Sequence, residues 1–182
     1  MTVPAIAQES RTERDRRREQ ELRALEQRIE THTREQLRRF QRLYEATADP
    51  DQRHQIGRMM LNLQNTRTRV REQIELSRTG DPVRRAQLHR EFADQRIEHL
   101  RQVAGSVYPG FAERLGDQYR HHVSQSHRHL GLAERRGRSV DPERDRLRRT
   151  LQQHEQTLQQ LRAGSSGPMR RALERIQERV HS

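Results

Sequence analysis

Apolar residues recur at intervals of three and four along most of the chain, which is the pattern of one face of an α-helix. The longest such run extends from residue 9 to residue 48. No segment alternates apolar and polar residues as a half-buried strand would. The pattern therefore predicts an all-α protein of five to six amphipathic helices in antiparallel hairpins, forming an elongated bundle or a coiled-coil-like structure.

Proline residues mark where most of these helices begin. Asp49-Pro50, Asp81-Pro82 and Asp141-Pro142 each combine a favourable N-cap residue with a proline at the first helical position. Pro109 and Pro168 open two further helices in the same way. The starting points of five helices can therefore be placed from the sequence, in addition to the first long helix.

These boundaries also suggest a domain organisation. We expect residues 1–8 to be a disordered tail and residues 9–182 to form a single helical domain. Within that domain, residues 9–48 form a long charged helix and residues 49–163 a bundle of four helices. Residues 164–182 then provide a Gly- and Ser-rich linker and a C-terminal helix.

The prolines that begin the helices also show a weak internal repeat. Pro50, Pro109 and Pro168 are each 59 residues apart, and the Asp-Pro pairs at 81 and 141 are 60 apart. A duplicated helix pair would give this spacing, although the apolar positions match poorly elsewhere. The repeat is therefore a hypothesis about the arrangement of the helices.

The composition predicts a thin hydrophobic core. Apolar residues make up 29% of the 182 residues, and the formal net charge is +11. Both values lie toward the range of chains that cannot stabilise a compact fold alone. An elongated helical shape, self-association or a binding partner would supply the missing burial.

All 37 basic residues are arginine, and lysine is absent. Codon bias in a GC-rich, bacterial genome is the simpler explanation, because other residues with A/T-rich codons are also scarce. Selection against lysine is the alternative, as in a protein that is delivered into a host cell and exposed to lysine-directed degradation. The sequence leaves both explanations open.

Several chemistries have no support in the sequence. Cysteine is absent, which excludes thiolate catalysis and disulfides. Phosphate-binding loops, HExxH and G-x-S-x-G motifs do not occur, and no secretory signal or membrane-spanning segment is evident. We therefore expect a non-enzymatic protein without cofactor, metal, small-molecule substrate or membrane insertion. A cytoplasmic location is expected, with export by another route, including delivery into a host cell, left open.

Histidines are concentrated in residues 121–129, HHVSQSHRH, which hold four of the chain's ten. Their spacing does not give the i,i+3 or i,i+4 pair of a helical metal site. His122 and His129 instead share the apolar stripe of their helix, and His154 occupies the stripe of the next. We therefore predict a polar seam of His122, His129 and His154, provided that helices four and five pack antiparallel. A pH-sensitive contact at that seam is the less favoured interpretation.

The following residues form the one concentrated basic patch of the sequence. Its members are His127, Arg128, Arg135, Arg136 and Arg138. Elsewhere most arginines have an acidic residue within one helical turn, so that they form solvated ion pairs. The patch is thus a candidate contact surface.

Two functions remain after these exclusions. The favoured prediction is a helical scaffold, adaptor or secretion-associated protein, including a translocated effector, that binds a protein partner or a second copy of itself. The alternative is an arginine-rich protein that binds the phosphates of nucleic acid. A continuous positive face would favour nucleic acid, whereas an exposed apolar groove among mixed charges would favour a protein.

Overall fold

A computed structural model describes residues 11–180, and the side chains of residues 13–178. Six α-helices and no strand occur in this part of the chain, which confirms the predicted all-α class. The predicted tail, residues 1–8, lies outside the described residues. The helices are α1 (Arg11–Ala46), α2 (Pro50–Ser77), α3 (Pro82–Val103), α4 (Pro109–Arg135), α5 (Asp141–Gly164) and α6 (Gly167–Val180).

Capping residues explain several of these boundaries. The carboxylate of Asp81 accepts a hydrogen bond from the Val83 amide at 3.0 Å, and Asp49 accepts one from the Asp51 amide at 2.8 Å. After α4, Gly137 adopts a φ of 73°, and the Arg138 amide bonds back to the Ala133 carbonyl at 3.1 Å. A left-handed residue of this kind ends a helix at low cost when it is glycine.

The chain divides into two compact units, residues 1–74 and residues 75–182, with the division near the end of α2. The first unit contains α1 and most of α2, and the second contains α3, α4, α5 and α6. The final helix thus belongs to the same unit as α3–α5.

In the first unit, α1 and α2 form an antiparallel hairpin joined by residues 47–49. Arg67 of α2 donates from Nε to Glu30 of α1 at 2.7 Å, and a second hydrogen bond makes the ion pair bidentate. The two backbones nevertheless seldom approach within 8 Å. Most apolar residues along this seam remain partly or largely exposed, so the hairpin has almost no core of its own.

The four helices of the second unit form a ring in the order α3, α4, α6, α5. Gln87 bonds to Glu143 at 3.1 Å and Arg101 to Thr157 at 3.0 Å, which shows that α3 and α5 run parallel. Helices α4 and α6 are likewise parallel neighbours, because Glu113 pairs with Arg175 and Gly116 lies against Ile176.

This ring is compatible with a duplicated helix pair, which stays a hypothesis. Residues that contact each other between the parallel helices are separated by 56 to 62 positions in sequence, close to the 59 and 60 of the repeated prolines.

In this ring, α4 and α5 lie diagonally opposite each other. They are joined through their side chains and do not form a closely packed pair.

Small residues allow α3 and α4 to approach most closely, as the alanine face of the third helix predicts. The buried hydroxyl of Ser126 donates to the Ala86 carbonyl of α3 at 3.0 Å. The predicted stripe of α4 is confirmed, because all of its members are buried. They are Phe111, Leu115, Tyr119, His122, Ser126, Leu130 and Ala133.

Among the described residues, the bundle has four helices at one end and three at the other, because α6 has 14 residues whereas α4 has 27 and α5 has 24. The three-helix end is closed by a small apolar cluster. Its buried members are Ala86, Leu130, Ala133, Val140 and Leu147, with Val83 and Leu151 packed against them.

Candidate functional site

A cluster of histidines lies between α3 and α4. The Nδ1 atoms of His89 and His122 are 3.1 Å apart, and both side chains are buried. The ring of His129 stacks on that of His89 with centroids 5.5 Å apart and planes 11° from parallel. Phe92 contacts both His89 and His122 edge-on. The two buried imidazoles can share one hydrogen bond only if one of the facing Nδ1 atoms carries a proton and the other does not.

Burial above all, and then the positive charge that His122, His129, His121 and Arg85 can place nearby, lower the pKa of His89 to about 3. The pKa of His129 is also lowered, first by burial and then by Arg85 and Arg128. His89 is therefore neutral in the folded protein at neutral pH. The cluster acts as a buried polar contact between two helices.

The three histidines of the predicted seam lie in two places. His122 and His129 contact His89 of α3, whereas His154 of α5 pairs through Nε2 with Asp94 at 2.8 Å. His154 also meets Tyr119 edge-on, with ring centroids 5.4 Å apart. We expected α4 to pack directly on α5. In the structure both helices pack on α3 instead, because α4 and α5 lie diagonally opposite each other in the bundle.

Metal binding has no geometric support in the described part of the chain. No group of three or more His, Asp or Glu side chains among residues 13–178 is placed to hold an ion. His89 and His122 alone supply two facing nitrogen atoms.

The predicted basic patch lies at the C-terminal end of α4 and in the turn that follows. Arg128, Arg135 and Arg136 are exposed and form no ion pair with any described residue. Arg138 lies 3.8 Å from the carboxylate of Asp81. Since Arg128 and Arg135 are seven residues apart, they point to the same side of the helix.

The acidic residue within this segment is engaged by another helix. Glu134 accepts two hydrogen bonds from Arg144 of α5, at 2.8 and 2.6 Å, and these bonds lower the pKa of Glu134. The hydrogen bonds of Glu134 thus go to Arg144, and the charge of Arg135 in the patch lowers the pKa of Glu134 further.

The fifth member of the patch, His127, lines a cavity of about 370 Å³ between α4, α5 and the end of α6. Its wall combines apolar side chains with charged ones, which are Tyr119, Val123, Leu151 and Leu158 on the one hand and Arg148 and Glu155 on the other. Burial, followed by the charges of Asp94 and Glu155, raises the pKa of Tyr119, so its phenol stays protonated. We call this cavity the α4–α5 slot.

Three residues that the sequence reasoning did not single out are prominent in the structure. His89 is the centre of the histidine cluster, Arg96 is fully buried on α3, and Gln177 contacts the slot. All three occupy apolar stripes at three-and-four spacing, which is the signal that could have identified them.

Comparison with protein-family models, curated proteins and solved structures finds no match. Among the described residues no helix is both long and apolar enough to cross a membrane. The described chain is an all-α helical-bundle protein.

Proposed function

We propose that this protein is a non-enzymatic helical scaffold or adaptor that binds another protein, or a second copy of itself, through the faces of its helices. A secretion-associated role is one setting for such a protein. The observation that carries the proposal is the α1–α2 hairpin, whose apolar seam is left incomplete.

Four large apolar side chains of this hairpin are substantially exposed. Leu43 is 53% exposed and Met59 48%, and Tyr44 and Leu25 are close to 40%. Leu25 and Leu43 are 18 residues apart, which is five helical turns, so they lie on the same flank of α1. Large apolar side chains that stay exposed along a hairpin can contribute to a protein-interaction site.

Packing energetics support the same interpretation. An antiparallel hairpin is stabilised mainly by its buried seam, because isolated helices are marginal in water. Here the described seam buries little, and the Glu30–Arg67 pair is partly exposed and contributes little. A third or fourth helix laid along the flank would bury the remaining leucines, at roughly 25 cal/mol per Å² of apolar surface.

Site-specific photo-crosslinking in the producing cells tests this proposal. Benzoylphenylalanine replaces Leu43 in one variant and Arg38, which is exposed on the other side of α1, in a control. We expect a discrete protein adduct from position 43 and none from position 38. Equal labelling at both positions, or no protein adduct at position 43, would contradict the proposal.

A second candidate function is binding of nucleic acid, which the three unpaired arginines at the end of α4 favour. Nucleic-acid phosphates attract arginine side chains whatever the base sequence is. The affinity of the protein for nucleic acid then falls steeply as the salt concentration rises. Mixed charges surround the patch, however, since Asp81 and Asp141 lie at the adjacent helix starts. Low aromatic content, 3% of the chain, also leaves few side chains for stacking on bases.

A salt titration of duplex DNA binding tests the second function. Replacing Arg128, Arg135 and Arg136 with Gln removes three charges from the patch. The matched control replaces Arg17, Arg23 and Arg34, which pair within α1. Nucleic-acid binding at the patch requires that only the first triple variant lose affinity and show a shallower salt dependence.

A further inference from the structure

We infer that one flank of α1 binds an acidic amphipathic helix of a different protein. This α1 flank is the line of side chains that runs along the helix from Leu25 to Leu43. Its two leucines are the apolar contacts, and Arg28 and Arg39 between them pair with the acidic side chains of the partner. The inference rests on the proposed function and specifies the chemistry of the partner.

The spacing of the sequence places both arginines on this flank. Arg28 is three residues after Leu25 and Arg39 is four residues before Leu43, so each arginine lies one turn inside a leucine on the same side of α1. Both arginines are exposed, and neither forms an ion pair with a described residue. Their guanidinium groups are therefore available to a partner.

The acidic residues of α1 between the two leucines lie off this line. Glu30 is about 140° around the helix from Leu25 and pairs with Arg67 of α2. Glu26 is about 100° around the helix and half-buried. Glu35 stands at the outer edge, about 80° away on the other side, and forms no ion pair with a described residue. The α1 flank therefore carries two positive charges and no negative charge.

This charge pattern disfavours a second copy of the chain as the occupant. In an antiparallel pair that brings Leu25 of one copy against Leu43 of the other, Arg28 of one copy lies beside Arg39 of the other. In a parallel pair, each arginine faces its own counterpart. Like charges that face each other across an interface are unfavourable. The flank is therefore complementary to a different protein that supplies acidic side chains at these two positions.

The chemistry of arginine and leucine together favours a protein segment. An arginine can bind a carboxylate with two parallel hydrogen bonds while its stem covers apolar surface. The formal net charge of +11 also accelerates the encounter with an acidic partner. Nucleic-acid phosphates could pair with the arginines, but they would leave Leu25 and Leu43 in water.

The positions along α1 determine the form of the partner segment. Leu25 and Leu43 are roughly 27 Å apart along the axis, and each arginine lies about 5–6 Å inside a leucine. A helix laid along the flank would match this surface with a large apolar residue near each end and Asp or Glu one turn farther in. The partner segment is therefore an acidic amphipathic helix of about five turns.

Peptide binding by the full-length protein tests the inference. The probe is a synthetic helical peptide with two leucines about 18 residues apart and glutamates one turn inside them, and a second peptide has glutamine in place of glutamate. We expect fluorescence anisotropy to show at least about tenfold higher affinity for the glutamate peptide. Arg28→Gln combined with Arg39→Gln is expected to abolish this preference. Equal affinity of the wild type for the two peptides would overturn the inference.

A matched control variant separates the flank from the overall charge. Arg16→Gln combined with Arg38→Gln removes the same two charges from the opposite side of α1, where both arginines are exposed and form no ion pair with a described residue. Glutamine favours a helix about as well as arginine, so both double variants are expected to fold. The preference for glutamate is expected to persist in the control. Its loss in both double variants, or in neither, would overturn the inference.

The photo-crosslinked adduct from position 43 distinguishes this inference from the proposed function. We expect the crosslinked peptide to be an acidic amphipathic segment of another protein, and its yield to fall at least about tenfold with Arg28→Gln and Arg39→Gln. A protein adduct that lacks acidic residues, or that comes from a second copy, would overturn the inference and leave the proposed function standing. A nucleic-acid adduct alone, or no adduct, would overturn both.

Discussion

The Nδ1 atoms of His89 and His122 lie 3.1 Å apart in the interface of α3 and α4, where both side chains are buried. Because the pKa of His89 is lowered to about 3, its ring stays neutral in the folded chain when the unfolded chain has already bound a proton. The contact is therefore stable at neutral pH and is weakened by acid.

Acidification is thus expected to destabilise the α3–α4 pair. The contribution of His89 is fully present above pH 6.5, its ordinary pKa, and is lost as the pH falls from 6.5 toward 3. In that window the free energy of unfolding changes by about 1 kcal/mol per pH unit for one such group. Urea unfolding at pH 7.5, 6.0 and 5.0 measures this dependence. The His89→Gln variant, which cannot titrate, is expected to show a shallower slope, and an identical slope would rule out His89 as the cause.

Gly116 provides a test of the close packing between α4 and α6. A Cβ atom at this position would overlap the side chain of Ile176, so Gly116→Ala is expected to destabilise the protein by about 1–3 kcal/mol. Gly131, on the same helix, has only Arg135 nearby at 3.7 Å. Gly131→Ala is therefore expected to stabilise the helix by roughly 0.5–1 kcal/mol. Thermal unfolding compares the two variants, and equal effects would contradict the register of α6 on α4.

Asp81 is expected to stabilise the start of α3. Its carboxylate accepts the Val83 amide hydrogen bond, and Asp81→Ala leaves that amide without its side-chain partner. The expected loss is about 1 kcal/mol in the free energy of unfolding. Asp81→Asn is the matched control, because asparagine caps helices about as well. A large loss with asparagine would instead indicate that the 3.8 Å contact with Arg138 is the important one.

Local signals in the sequence were sufficient to predict where the helices lie. Asp81-Pro82 carries its own capping chemistry, and the three-and-four spacing around His122 identified a face that the structure buries. Which helix that face would meet depends on tertiary packing and has no local signal. His122 therefore contacts His89 of α3, and His154 contacts Asp94 of α3. Both α4 and α5 pack on α3, and α4 and α5 lie diagonally opposite each other in the bundle.

The candidate surfaces were predictable to different degrees. Arg128, Arg135 and Arg136 could be recognised as a patch because an exposed helix end needs no tertiary partner to display its charges. The α4–α5 slot could not be recognised, since its lining residues come from three helices whose packing has no local signal. In the sequence Gln177 is an ordinary helix residue, and only the packing of α6 against α4 and α5 brings it to the α4–α5 slot.

Amide hydrogen exchange of the dilute full-length protein tests most directly whether the α1–α2 seam needs a partner. The sample is kept at a concentration where light scattering shows a monomer. We expect the amides from Ile29 to Phe40 of α1 to exchange at least about 100-fold faster than those from Leu115 to Leu130 of α4. Equal protection of the two segments in the monomer would contradict the account, because the hairpin would then be stable without a further helix.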